Sequence, residues 1–190
     1  MAQQKKQLWF ILPLLAFLLA IGLFYTRLGK DTTIETNTSV NKPLPMLKLP
    51  SLGNPSEIVT HAQLPNEPYL VNVWASWCIT CKVEHPFLMQ MAKAGVPIVG
   101  IDYKDETKDA LAYLNEHQDP YKISLVDKGD YGIDLGLTGT PESFVVDNKG
   151  NVRQHIIGEI NEERYNQRVL PCMTALRSNA DAAKVAEACH

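Results

Sequence analysis

The sequence lacks a basic excess. Its formal net charge is −3, and this balance excludes a strong electrostatic footprint for nucleic acid. No internal repeat appears at the periods of solenoids or propellers. Cysteine is scarce: the four are Cys78, Cys81, Cys172 and Cys189. No second ligand pair accompanies Cys78 and Cys81, so a four-ligand zinc site is not written at ligand spacing. Histidine is absent after Cys81, where Lys82 stands, and this excludes a c-type haem attachment motif. Charge is missing altogether from residues 8–25.

That uncharged stretch is rich in Leu, Phe and Ile. As a helix it would reach about 27 Å, near the roughly 30 Å hydrocarbon core of a bilayer. Lys5 and Lys6 precede it, and Trp9 and Tyr25 sit near its ends, where amphipathic rings favour the interface. A cleaved signal peptide would have a shorter apolar region followed by a small-residue cleavage site. Here Ala20, Ile21 and Gly22 lie inside the apolar run. The sequence therefore predicts a cytoplasmic N-terminus over 1–7, an uncleaved anchor over 8–26, a polar Thr/Asn-rich tether over 27–42 and an exported domain over 43–190. Hydrophobic residues make up 45% of the chain, ordinary for a chain with one globular core.

Within that domain the apolar pattern alternates. Residues 69–75 (YLVNVWA) read as a central strand. Residues 82–94 show helical spacing through Val83, Phe87, Leu88 and Met91, and Gly95 ends the helix. Residues 96–101 read as a second buried strand, and 106–116 as a helix with Ala110, Leu111 and Leu114 on one face. Residues 143–146 and 151–157 read as strands joined by an Asp147-Asn148-Lys149-Gly150 turn. A closing helix over 161–176 is interrupted or bent at Pro171. The fold class is α/β, a mixed sheet flanked by helices.

Cys78-Ile79-Thr80-Cys81 directly follows the first strong strand and opens a helix. A Cys-x-x-Cys beside a βαβ pattern reads as a thioredoxin-like redox motif. At a helix N-terminus, unpaired N–H groups and the dipole favour an anion, so a thiolate at Cys78 is stabilised. Cys81, one turn in, can attack Cys78 and resolve a mixed disulfide. Trp74 and Trp77 can shield the pair. The competing reading is half of a metal site completed by His85, His117 or the distant cysteines. Thr140-Pro141 precedes a strand; it is either an ordinary loop proline or a cis peptide whose neighbouring backbone pairs with an extended client.

By spacing, Glu84 reads as part of a solvated helix face, with tuning of the dithiol as the alternative. Asp102, Asp105 and Asp109 read as solvated, and His85 as a surface or packing histidine. Cys172 and Cys189 are 17 residues apart. In an oxidising compartment such a pair suggests a structural bridge, the alternatives being a redox relay or a free thiol at Cys189.

Three stretches carry a family resemblance: NVWASWCITCKVEH (72–85), GIDYKD (100–105) and GIDLGLTGTPESF (132–144). With them the chain resembles the DsbE/CcmG family, membrane-anchored thioredoxin-like proteins of cytochrome c biogenesis. The resemblance implies a thioredoxin fold with an N-terminal addition and a central helical insertion near residues 104–130. It implies a periplasmic domain on a single-pass inner-membrane anchor, acting as a protein-disulfide reductant. The implied client is apocytochrome c or a thiol partner of the maturation machinery. The implied electron donor is a DsbD-type membrane protein, and no cofactor is implied beyond the dithiol. By position, Cys78 is the nucleophile, Cys81 the resolving thiol and Pro141 the cis-proline. Trp77, Tyr103, Thr140 and Glu142 belong to the surrounding groove, and Glu84 is the tuning acid. Ile79 departs from the common Pro, and Thr138 and Thr140 from the common Tyr and Ala. A general thiol oxidase or isomerase, or a metal- or haem-handling protein, are the rival functions.

Overall fold

A computed structural model describes the backbone of residues 2–27 and 39–190, with side chains for 12–25 and 39–190. The chain divides into two units, Met1–Ile34 and Glu35–His190. In the first, helix α1 runs Ala2–Arg27 with Pro13 inside it, and its described side chains from Leu12 to Tyr25 are exposed. The anchor expected over 8–26 lies partly outside the described residues. Among the described residues no helix is long and apolar enough to cross a membrane.

The second unit opens with a short antiparallel pair, β1 (Lys48–Pro50) and β2 (Ile58–Thr60). Then follow β3 (Tyr69–Trp74), α2 (Ile79–Lys93), β4 (Ile98–Tyr103) and α3 (Thr107–His117). The chain continues through β5 (Ile123–Asp127), α4 (Asp130–Leu135), β6 (Glu142–Val146) and β7 (Val152–Ile157). It closes with α5 (Glu162–Arg164), a π-helical turn (Tyr165–Val169), α6 (Leu170–Arg177) and α7 (Ala182–Ala188). Five strands form one sheet in the order β5-β4-β3-β6-β7. β3 is central, parallel to β4 on one side and antiparallel to β6 on the other.

β3 is buried along its whole length, as expected of a strand covered on both faces. One core cluster gathers Leu70, Trp74, Cys78, Cys81, Leu88, Ile98 and Cys172. The other gathers Val71, Val73, Ile101, Tyr131, Leu135 and Phe144. Helix α2 ends in a Schellman motif: Val96 N–H donates to the Met91 carbonyl at 3.0 Å and Gly95 N–H to that of Ala92 at 3.0 Å. Gly95 takes φ +84°, a left-handed value that favours glycine. The expected β6–β7 hairpin forms, with Asp147 Oδ1 accepting from Lys149 and Asn151 N–H, both at 2.9 Å.

The structure departs from the sequence reading in several places. β5 was not expected; residues 104–130 supply both a helix, α3, and an outer strand of the sheet. Residues 39–42, read as the end of the tether, pack on the hairpin, where Asn41 N–H donates to the Val152 carbonyl at 2.7 Å. The closing helix is interrupted near Pro171, as expected, by a π-helical turn over Tyr165–Val169, and Pro171 follows it in the first turn of α6. The buried face of α2 is Cys81, Glu84, His85, Leu88 and Met91. Val83, expected on it, is 69% exposed.

Cys172 and Cys189 are joined by a disulfide with Cα atoms 4.4 Å apart. Both are buried with Val169, Met173 and Val185, so the bond ties α6 to the end of α7.

Candidate active site

Cys78 is the N-cap of α2, with φ −82° and ψ 112°, and its Sγ accepts from Cys81 N–H at 3.1 Å. The capping geometry places sulfur where the helix presents unpaired donors. Cys78 and Cys81 are joined in a disulfide. The two are equally buried, 5% and 6% exposed, so access does not separate their roles; position along the helix does. Around them Trp77, Ile79 and Val83 stand exposed, an apolar rim.

Two loops meet this disulfide. The Thr140–Pro141 peptide is cis, and the Thr140 carbonyl oxygen lies 3.6 Å from Cys78 Sγ. The second loop follows β4. Asp105 Oδ2 accepts from Ser76 N–H at 2.5 Å, its Oδ1 from Glu106 N–H at 2.7 Å, and the Lys104 carbonyl accepts from Trp77 Nε1 at 3.2 Å. Asp105 thus pins the segment that leads into Cys78.

The acids expected in solvent are inside. Glu84 is 2% exposed; its Oε1 accepts from Asn72 Nδ2 at 2.6 Å and its Oε2 from Ile160 N–H at 2.6 Å. Burial pushes its carboxyl up to about 7 against those two bonds. Asn72, in the middle of β3, also donates to Ser143 Oγ at 3.0 Å and accepts from the Tyr121 hydroxyl at 2.8 Å. A polar residue inside an apolar strand run was the available signal for this network. Asp102 is fully buried near the end of β4, beside Trp74. Burial first, then the nearby Asp105 carboxylate, pushes it up to about 8. Neither Asp102 oxygen meets a donor among the described residues. Asp105 is buried as well, and only Asp109 is exposed as expected. His85 is a packing histidine: its Nε2 donates to the Gln118 carbonyl at 3.0 Å, and its ring meets Tyr113 edge-on.

Glu142 and Tyr103 sit with the second core cluster, whereas the dithiol belongs to the first. Tyr103 packs against Gly132, where a Cβ would come within 2.6 Å of its ring. Glu142 turns to the loop before Pro141. Its Oε1 accepts from Thr138 N–H at 3.0 Å, from Gly139 N–H at 2.9 Å and from the Thr138 hydroxyl. Among the described residues, no group of three or more His, Cys, Asp or Glu is placed to hold a metal.

The comparisons agree with this geometry. The Redoxin family model matches residues 39–169. A Vibrio cholerae protein named thiol:disulfide interchange protein DsbE is 39% identical over 182 residues, covering 93% of this chain and 98% of that protein. A Pseudomonas aeruginosa protein of the same name is 36% identical, covering 93% and 99%. The crystal structure of a thio-disulfide isomerase from Thermus thermophilus superposes with a TM-score of 0.58 at 27% identity, covering 75% of this chain and 98% of that one. The fold is thioredoxin-like, the chemistry is thiol–disulfide exchange, and the chain belongs to the Redoxin family, among the DsbE thiol:disulfide interchange proteins.

Proposed function

We propose that this chain is a membrane-anchored reductant of cytochrome c maturation. It keeps the haem-attachment cysteines of apocytochrome c reduced, directly or through a thiol partner in that machinery. The observation that carries the exchange chemistry is Cys78: it caps α2, is bonded to Cys81, and faces the carbonyl of a cis Thr140–Pro141 peptide. The cytochrome assignment is supported by the resemblance across 72–85, 100–105 and 132–144. The anchor is supported by the uncharged residues 8–25 and by the exposed apolar side chains of α1. On this reading the catalytic domain lies in the periplasm.

In the reduced protein the Cys78 thiolate attacks one sulfur of a client disulfide. The client S–S bond breaks, its other sulfur leaves and takes a proton, and a mixed disulfide forms. Cys81 loses its proton and attacks Cys78 Sγ. The second client thiol is released and the Cys78–Cys81 bond forms. Two electrons pass to the client, and a DsbD-type membrane dithiol restores them. Glu84 lies one turn beyond Cys81 on the same buried face of α2. With its carboxyl held near neutrality, it is suited to exchange the Cys81 proton at working pH. Thr140 presents backbone to an extended client, and the Trp77 rim covers its apolar side chains.

Trapping tests the assignment. In a Cys81→Ser variant, mixed disulfides through Cys78 accumulate, and mass spectrometry identifies the partner. Apocytochrome c or a maturation thiol protein is the expected catch; a broad, unselective set of envelope proteins refutes the cytochrome reading.

A further inference from the structure

Behind the cis-proline loop lies a buried pair outside the dithiol chemistry. Glu142 begins β6 and His155 lies beside it on β7; both side chains are 1% exposed. His155 Nε2 meets Glu142 Oε2 at 2.7 Å. The Phe144 ring stacks on the imidazole, centroids 4.2 Å apart and planes 16° from parallel, which fixes its orientation. The two carboxylate oxygens are divided between two tasks. Oε1 collects the Thr138 and Gly139 donors of the loop. Among the described residues Oε2 rests on His155 alone. Because the carboxylate only accepts, Nε2 carries the proton and donates.

We propose that His155 is a positioning residue for thiol–disulfide exchange: it orients the Glu142 carboxylate, which sets the Thr138–Pro141 turn against Cys78. A buried carboxylate oxygen stripped of its donor is costly. Without His155 the carboxylate turns to find another partner and releases Thr138 and Gly139. The next residue is Thr140, whose carbonyl stands 3.6 Å from Cys78 Sγ. The chain of contacts therefore runs from β7 to the surface that receives an extended client. Of its members Thr140 alone comes within reach of a sulfur, and His155 and Glu142 make no bond to Cys78 or Cys81, so His155 acts on client docking far more than on the reactivity of Cys78. This inference rests on the proposed roles of Cys78 and the cis-proline loop.

The test uses the full chain in neutral detergent micelles, reduced beforehand, and two disulfides. One is insulin, which docks as a polypeptide. The other is 5,5′-dithiobis(2-nitrobenzoate), a small disulfide that needs no backbone docking. His155→Asn places its amide near the Nδ1 position and leaves Oε2 without a donor. It is expected to lower the second-order rate constant for insulin at least tenfold and that for the small disulfide less than twofold. His155→Gln places an N–H near the Nε2 position and is expected to recover the insulin rate to within threefold of the parent. Equal losses on both disulfides, no loss on either, or failure of His155→Gln to rescue overturns the proposal. A Cys78→Ser variant run alongside separates the two levels: if it retains the parent's rates, the reading of Cys78 itself fails.

Discussion

Asn72 and Glu84 meet at 2.6 Å inside the protein, the amide of the central strand donating to the carboxyl of the dithiol helix. The same amide nitrogen also donates to Ser143, and the remaining oxygens accept from Tyr121 and Ile160. The network locks helix α2 to the sheet one turn beyond Cys81. It also keeps an ionisable group away from water, and this sets the first expectation.

Stability should fall as pH rises. Glu84 is lifted from 4.5 to about 7 and Asp102 from 3.8 to about 8. The folded chain keeps protons that the unfolded chain has released. The stabilisation is complete below the unfolded values and is lost as pH climbs through 7 and 8. Glu84 alone contributes a decline of about 3 kcal/mol over that window, at ~1.4 kcal/mol per unit. The urea midpoint should be lower at pH 8 than at pH 5. In a Glu84→Gln/Asp102→Asn double variant the gap between the two midpoints should narrow. A parent midpoint that rises with pH refutes the assignment.

The two active-site thiols should differ in reactivity. In the disulfide form Cys78 stands at the helix N-terminus with Cys81 N–H donating to its sulfur at 3.1 Å, a position that favours a thiolate once the bond is reduced. Cys78 should alkylate with iodoacetamide at a pH below the usual thiol value near 8.5. Cys81, one turn into the helix and away from its N-terminal donors, should label only at higher pH. Peptide mapping after brief alkylation reads the difference, and equal labelling of both would count against a helix-stabilised thiolate.

Removing the second disulfide should cost stability and leave exchange intact. The Cys172–Cys189 bond closes a 17-residue separation, worth about 3 kcal/mol in the chain-entropy picture. For a domain of this size that is a fall in Tm of roughly 5–10 °C. A Cys172→Ala/Cys189→Ala variant should reduce insulin within twofold of the parent rate. A tenfold loss would assign this pair a redox part.

Gly132→Ala should destabilise the domain by about 1–3 kcal/mol. A Cβ there would stand 2.6 Å from the Tyr103 ring and 3.2 Å from Asp127 Oδ2. Tyr103→Leu in the same chain should recover part of the loss, because it removes the ring. Thermal denaturation of the two variants checks the pairing; an unaltered Tm in Gly132→Ala would show that the contact is slack.

Alkaline carbonate extraction checks the anchor. The full chain should stay with the membrane fraction, and a chain beginning at residue 28 should appear in the supernatant. Release of the full chain by carbonate would refute a spanning segment.

Much of the site was legible because local chemistry was written in consecutive residues. Cys78 at a helix start, the Asp147–Gly150 turn and the proline before a strand each follow from a few neighbours. What the pattern missed depends on contacts far along the chain. Val83 was expected inside and Glu84 outside, because apolar side chains usually face a core. Here Asn72 and the Ile160 N–H provide for the carboxyl, and Val83 joins the exposed rim around the sulfurs. Asp102 was expected in water because it follows an apolar run. β4 lies between β3 and β5, and without β5 in the reading its covered end could not be seen. β1 and β2 are three residues each, too short to show a period.

The buried Cys172–Cys189 bond has a consequence for how this molecule comes into being. Two of its sulfurs tie α6 to the end of α7; the other two are, on the proposed function, opened and closed repeatedly. A chain proposed to deliver electrons must first surrender a pair of them. On that proposal the bond is made by an oxidant in the compartment where the domain folds. Burial does not divide the two bonds, since Cys189 is 7% exposed and Cys78 5%; place does, because Cys78 caps α2 and faces the Thr140 carbonyl of the cis-proline loop, whereas Cys172 lies inside α6 and Cys189 at the end of α7.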